Sequence, residues 1–160
     1  MCFFIEEIAM LFETSGIADS NFFKTRLIFQ KYYPKQLEPV CEKHSLTRVE
    51  MDILLFLANN PEFDTAKDIV EFRGIAKSYV SAGISSLEER GYIERNFKDG
   101  NRKTIHLTLT KYASDAIRDG REVQKQFFGK LKNGITEEEM KAIQSVLKKV
   151  LENIENVQKN

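Results

Sequence analysis

Cysteine and histidine are scarce, two of each in 160 residues, at Cys2, Cys41, His44 and His106. Scattered this widely they make no ligand spacing such as Cys-x-x-Cys, so no metal site is expected. The parts of a catalytic site are missing too: there is no phosphate-cradling glycine loop, no nucleophile elbow and no cluster of Ser, His and Asp. No enzyme activity, catalytic residue or cofactor is therefore assigned. No run of about eighteen apolar residues occurs, which excludes a membrane-spanning helix from the expectation. The start Met1-Cys2-Phe3-Phe4-Ile5 is apolar, but Glu6 and Glu7 follow at once and no basic stretch precedes it, so a secretory signal is not expected and the cytoplasm is the expected compartment.

An excess of charge of either sign is also absent, with 24 Lys and Arg against 24 Asp and Glu. A nucleic-acid binder is usually basic, but the distribution of charge matters more than its total. Between Ala76 and Lys111 stand seven cations, Lys77, Arg90, Arg95, Lys98, Arg102, Lys103 and Lys111, against the four anions Glu88, Glu89, Glu94 and Asp99, a local net of +3. The compensating acid lies elsewhere, as in Glu137-Glu138-Glu139 and Glu6-Glu7.

What the chain does contain, from Asp64 to Thr110, is a helix, a short turn, a second helix and a hairpin. Asp64 or Thr65 stands where an N-cap belongs, with Asp68 placed to answer Thr65, and Ala66, Ile69, Val70 and Phe72 then face a core. Gly74 stops this helix, since glycine takes the left-handed conformation without a Cβ clash. A second helix is predicted from about Ala76 to Arg90, with Val80, Ile84 and Leu87 as its buried stripe and Gly91 as its end. Its exposed residues are Lys77, Ser78, Tyr79, Ser81, Ala82, Ser85 and Ser86, where Glu and Lys would be ordinary. Small and hydroxylic side chains suit a helix that enters a major groove, although Ser-rich helices also occur on ordinary surfaces.

Tyr92 to Phe97 and Thr104 to Leu109 alternate with period two, and Lys98-Asp99-Gly100-Asn101-Arg102-Lys103 lies between them. Asp-Gly is a strong turn signal. A tip carrying Lys98, Arg102 and Lys103 is placed to bind phosphates or to put Arg102 into a minor groove, with Asp99 as its orienter. The fold expected is mainly α with a small β-hairpin wing, a winged helix-turn-helix with a helical layer built from both termini.

From about Leu46 to Leu109 the chain resembles the MarR family of bacterial transcription regulators. The residues that carry the resemblance are Leu46-Thr47 opening a helix, Leu54-Leu55-Phe56-Leu57 within it, Thr65 to Ile69, Lys77 to Ser81, and Leu87-Glu88-Glu89-Arg90-Gly91-Tyr92-Ile93. Asp99 to Arg102 resembles the family's wing tip, and Leu107-Thr108-Leu109-Thr110 its exit strand. Two places depart from the pattern: Gly100 and Asn101 stand where a second wing arginine is common, and Tyr112-Ala113 where a glycine is common. The resemblance implies an obligatory homodimer on double-stranded DNA, with Lys77, Ser78, Tyr79 and Ser81 as groove-helix contacts and Lys98, Arg102 and Lys103 as wing contacts. The expectation is a repressor on a pseudo-palindromic operator, released by a small effector.

Three segments are expected: N-terminal helices over 1–45, the winged domain over 46–110 and C-terminal helices over 111–160. Thr136 and Glu139 form a capping box ahead of Met140, Ile143, Leu147, Val150, Ile154 and Val157, which recur every three or four residues. A further helix is expected from about Lys111 to Leu131. Earlier, Phe22, Phe23, Leu27, Ile28, Tyr32 and Tyr33 form an apolar stripe that Pro34 and Pro39 should kink or terminate. This is more apolar surface than a small winged domain can cover, so the terminal helices are expected to pair between two subunits, with Ile143, Leu147, Val150 and Ile154 in the seam; an intramolecular bundle is the alternative. Phe22, Phe29, Tyr33 and Phe56 are candidates for an effector crevice, or else plain core.

Two other readings compete. The helix and wing could dock a protein instead of DNA, which weak salt dependence would reveal. Cys2 or Cys41 could be a redox switch, Cys41 having Lys43 and His44 but also Glu42 close in sequence and Cys2 sitting among aromatics, although two unremarkable thiols are the expected case.

Overall fold

The computed structural model describes residues 20–98 and 101–158. Cys2, the apolar residues Ile5, Ile8, Leu11 and Phe12, whose spacing predicts a short helical stripe, and the wing's Asp99 and Gly100 lie outside that range, as do the side chains of Phe22, Phe23 and Arg102. Among the described residues the order is α1 (Ser20–Lys43), α2 (Arg48–Asn59), α3 (Ala66–Arg73), α4 (Lys77–Glu89), β1 (Ile93–Lys98), β2 (Asn101–Leu109), one 3-10 turn (Lys111–Ala113), α5 (Ser114–Leu131) and α6 (Glu137–Gln158). The chain forms two compact units, dividing between Lys125 and Gln126.

The core of the first unit is α2. Met51, Ile53, Leu54, Leu55, Phe56 and Leu57 are all buried, so nearly every side of this helix is covered. Its start is fixed by a capping box in which the Thr47 side chain accepts from the Glu50 amide and Glu50 accepts from the Thr47 amide. Around it lie α1, α4 and β2.

Pro34 and Pro39 do not end α1, which continues to Lys43. Each proline removes one backbone donor, but Tyr33, Leu37, Val40 and Cys41 make a buried stripe running past both, and burial of that stripe holds the helix through the defects. The Pro34 carbonyl accepts from Arg48 Nη1 at 3.0 Å.

α3 starts as expected, with a Thr65 and Asp68 capping box, and ends at Gly74 in the left-handed conformation, φ 63°. In α4 the buried face is Val80, Gly83, Ile84 and Leu87. The hairpin pairs Ile93 with Leu109 through Asn96 with His106, and then shifts register so that Lys98 pairs with Asn101. Both strands therefore run further toward the tip than the alternation predicted. The Leu107 amide donates to the Asp64 carbonyl at 2.7 Å, which ties β2 to the segment before α3.

In α5, Ala116, Ile117 and Gly120 are buried, and a Cβ at Gly120 would stand 3.0 Å from Leu55 Cδ2. α6 begins with the expected capping box: the Thr136 amide donates to Glu139 Oε2 at 2.7 Å and the Glu139 amide to Thr136 Oγ1 at 3.2 Å. Along α6, Ile143, Val146, Leu151, Ile154 and Val157 are exposed, with Leu147 and Val150 half-buried. No helix among the described residues is long and apolar enough to cross a membrane.

Candidate nucleic-acid interface

The position of α4 is set from below by α2. Gly83 lets the two helices meet closely, since a Cβ there would lie 2.8 Å from Ile53 Cδ1 and 3.3 Å from Val49 Cγ1. Three residues on, Ser86 Oγ donates to Glu50 Oε1 at 2.5 Å, and Glu50 is only 3% exposed. Arg90 lies 3.7 Å from the same carboxylate and donates to the carbonyls of Ser45 at 3.0 Å and His44 at 3.1 Å. Burial alone would raise the Glu50 pKa, but hydrogen bonds from Ser86 and Thr47, with the charge of Arg90, outweigh it and bring the carboxyl below its ordinary value. Ser86, half-buried, is thus a tether to Glu50 and not part of the exposed face that helix periodicity placed it on, and Arg90 serves the fold.

The wing is held in a similar way. Arg95 of β1 lies 3.1 Å from Glu88 and donates to Ser85 Oγ at 3.1 Å, so it fastens the hairpin to α4. Asp64 collects Lys98 of β1 and, at 2.5 Å, His106 Nδ1 of β2. Burial works to raise the Asp64 pKa, and the bonds from Lys98 and His106 overcome it and hold the carboxyl low. Lys98, expected to bind phosphate, is here ion-paired with Asp64 from the tip end of β1.

With these groups engaged, the outward surface of α4 is Lys77, Ser78, Tyr79, Ser81 and Ala82, all exposed, with Tyr79 66% exposed. Lys103 is exposed on β2. Between α3, α4 and the hairpin lies a cleft of about 590 Å³ lined by Val70, Lys77, Ser81, Ile84, Arg95 and Ile105, among others.

The aromatic residues suggested for an effector crevice fall into separate clusters. Phe29 stacks on Tyr33 at 5.4 Å, with the Arg48 guanidinium 5.2 Å from the Tyr33 ring and Gln124 Nε2 donating to its hydroxyl at 2.7 Å. Phe56 stacks instead with Phe72, at 6.2 Å, and Phe72 meets Phe63 in a tilted contact at 4.4 Å. Cys41 is 8% exposed, and burial, outweighing the nearby Arg48, pushes its thiol pKa up. A thiol kept protonated is a weak nucleophile, which argues against a switch at this residue.

Sequence reasoning passed over three carboxylates. Glu50 carried a signal, three residues after Thr47 at a helix start. Asp64 was read only as a cap. Asp119, which accepts from Lys43 Nζ at 2.7 Å and lies 2.8 Å from His44 Nε2, joins α5 to the end of α1 across a sequence gap that no local pattern spans. Those two bonds hold its carboxyl well below the usual carboxylate range.

A helix pair followed by a hairpin that leans on the second helix defines the winged helix-turn-helix class of DNA-reading fold. The family model of the MarR family matches residues 44–103. That segment is similar to the winged helix-turn-helix of the MarR family.

An HTH-type transcriptional regulator of Bacillus subtilis, YwhA, is 27% identical over 86 residues, which cover 54% of this chain and 62% of the relative's length. A MarR-family regulator from Listeria monocytogenes, solved with a 26mer DNA, superposes with a TM-score of 0.68 at 20% identity, covering 82% of this chain and 87% of that one. NadR, solved with 4-hydroxyphenylacetate, gives a TM-score of 0.65 at 16% identity, covering 83% and 92%. At these identities the solved structures show the shared fold.

Proposed function

We propose that the protein is a DNA-binding transcription regulator, a repressor that holds a pseudo-palindromic operator as a homodimer and is released by a small effector. The observation that carries this reading is the exposed face of α4, whose first six residues present lysine, hydroxyls, a tyrosine ring and a methyl group with no acid among them. A helix anchored by Glu50 and flanked by a wing tied at Arg95 and Asp64 is held firmly enough to enter a groove at a set angle. The Listeria protein solved with DNA supports the same use of the fold here. Homodimerisation through Ile143, Leu147, Val150 and Ile154 is supported by the apolar side chains that α6 leaves exposed. Effector release is supported by NadR's complex with 4-hydroxyphenylacetate, and of the candidate aromatics Phe29 and Tyr33, which stack on each other, are the pair we assign to it. The boundaries 1–45, 46–110 and 111–160 divide terminal pairing helices from the reading head.

The test is binding of the purified protein to DNA from upstream of its own gene and to scrambled DNA, at two salt concentrations. Specific binding that falls steeply with salt is the expected result, because neutralised phosphates release counterions. Binding to neither DNA would move the function to a protein-docking winged helix.

A further inference from the structure

Base reading by α4 must be done by what the fold leaves available. Ser85 is engaged by Arg95, Ser86 by Glu50, and Arg90 by the carbonyls of His44 and Ser45. Guanine is ordinarily read by a bidentate Arg or Lys, and adenine by a bidentate Asn or Gln. The helix Lys77–Glu89 contains no Arg, Asn or Gln, and its one lysine stands at the edge of the outward arc, lining the cleft with α3.

What the arc offers in place of a bidentate reader is apolar surface. Tyr79 is two-thirds exposed, and Ala82, exposed and three residues on, places a methyl group about one turn further along the same face. Ser78 and Ser81 flank them with hydroxyls. Side chains this short let the helix backbone come close to the groove floor, where the C5-methyl of thymine is the one apolar group that marks a base.

Building on the DNA-binding reading above, we propose that Tyr79 and Ala82 are the specificity-determining pair of this protein, and that they recognise thymine methyl groups in each half-site. Ser78 and Ser81 add hydrogen bonds to base edges or phosphates beside them, and Lys77 contributes charge. Specificity then depends on where thymines stand on the groove floor more than on any guanine.

The experiment first enriches preferred duplexes from a randomised pool with the full-length protein. The preferred duplex is then resynthesised with thymines replaced one at a time by deoxyuridine, which removes the methyl and keeps the pairing and the O4 acceptor. At one or two positions per half-site the affinity is expected to fall by about threefold to tenfold, the scale of one methyl group's burial. Tyr79→Ala should make at least one of those positions indifferent to uracil. Lys103→Ala should weaken all duplexes alike and keep the uracil pattern. A preferred duplex that tolerates uracil at every position would overturn the proposal, as would a Tyr79→Ala protein that loses affinity yet keeps the full uracil penalty. A pool that yields no preferred sequence would instead overturn the DNA-binding reading on which the proposal rests.

Discussion

Asp64 shows how a side chain remote from the recognition surface governs the wing. Its two oxygens take Lys98 and His106, one from each strand, so the seating of the hairpin depends on an ionised carboxylate. Folded, that carboxyl titrates below its ordinary 3.8, and unfolded it returns there. The unfolded chain therefore binds the extra proton first, and the stabilisation, complete above about pH 3.8, is lost as pH falls through the folded value. Measured against Asp64→Asn by urea unfolding, the wild-type advantage should be constant near neutrality and vanish in acid; an advantage that does not change with pH would remove the charge from the account. Arg102→Ala should weaken operator binding by about 1–3 kcal/mol if the arginine enters a groove, and less if it meets only phosphate. Titration of both proteins against one duplex decides this, and equal affinities would remove the wing from recognition.

For α4, local pattern and tertiary contact make separate contributions. Its buried stripe of Val80, Ile84 and Leu87 is a matter of periodicity and was legible in the residues. Its depth against α2 was not, because a glycine in a helix signals close approach only when the neighbour is known. Gly83→Ala adds a Cβ 2.8 Å from the end of Ile53, a side chain with no exposed surface. Overpacking of about 1–3 kcal/mol should exceed the gain of up to about 1 kcal/mol in helix propensity, so the variant should unfold at lower urea. Operator affinity should fall with it, since α4 is displaced outward. A variant as stable as wild type with unchanged binding would show that the helix contact has slack. α1 gives the opposite lesson. Two prolines predicted a break, and the stripe buried against the rest of the unit carried the helix past both.

For the whole molecule, the apolar residues of α6 need an explanation, and the proposed pairing between two copies supplies one. Leu147→Asp should shift the protein from dimer to monomer in sedimentation. Operator binding should be lost together with the dimer, because one reading head forfeits half of the phosphate contacts. A Leu147→Asp protein that sediments as a dimer would place the interface on other residues.

The elements with local causes are legible from the residues alone: capping boxes at Thr65 and Thr136, the stop at Gly74, the buried stripe of α4 and the alternation of the wing strands. So are the residue types that α4 and the wing present outward, since those follow from periodicity and composition. Which of them remain available is set by tertiary packing. Ser86, Arg90 and Lys98 looked like surface groups and are engaged by Glu50, by backbone carbonyls and by Asp64, partners 36 to 46 residues away for the first two and 34 for the third. Helical and strand periodicities specify a face, but the partner that meets that face comes from another part of the chain, and its identity depends on how the elements pack.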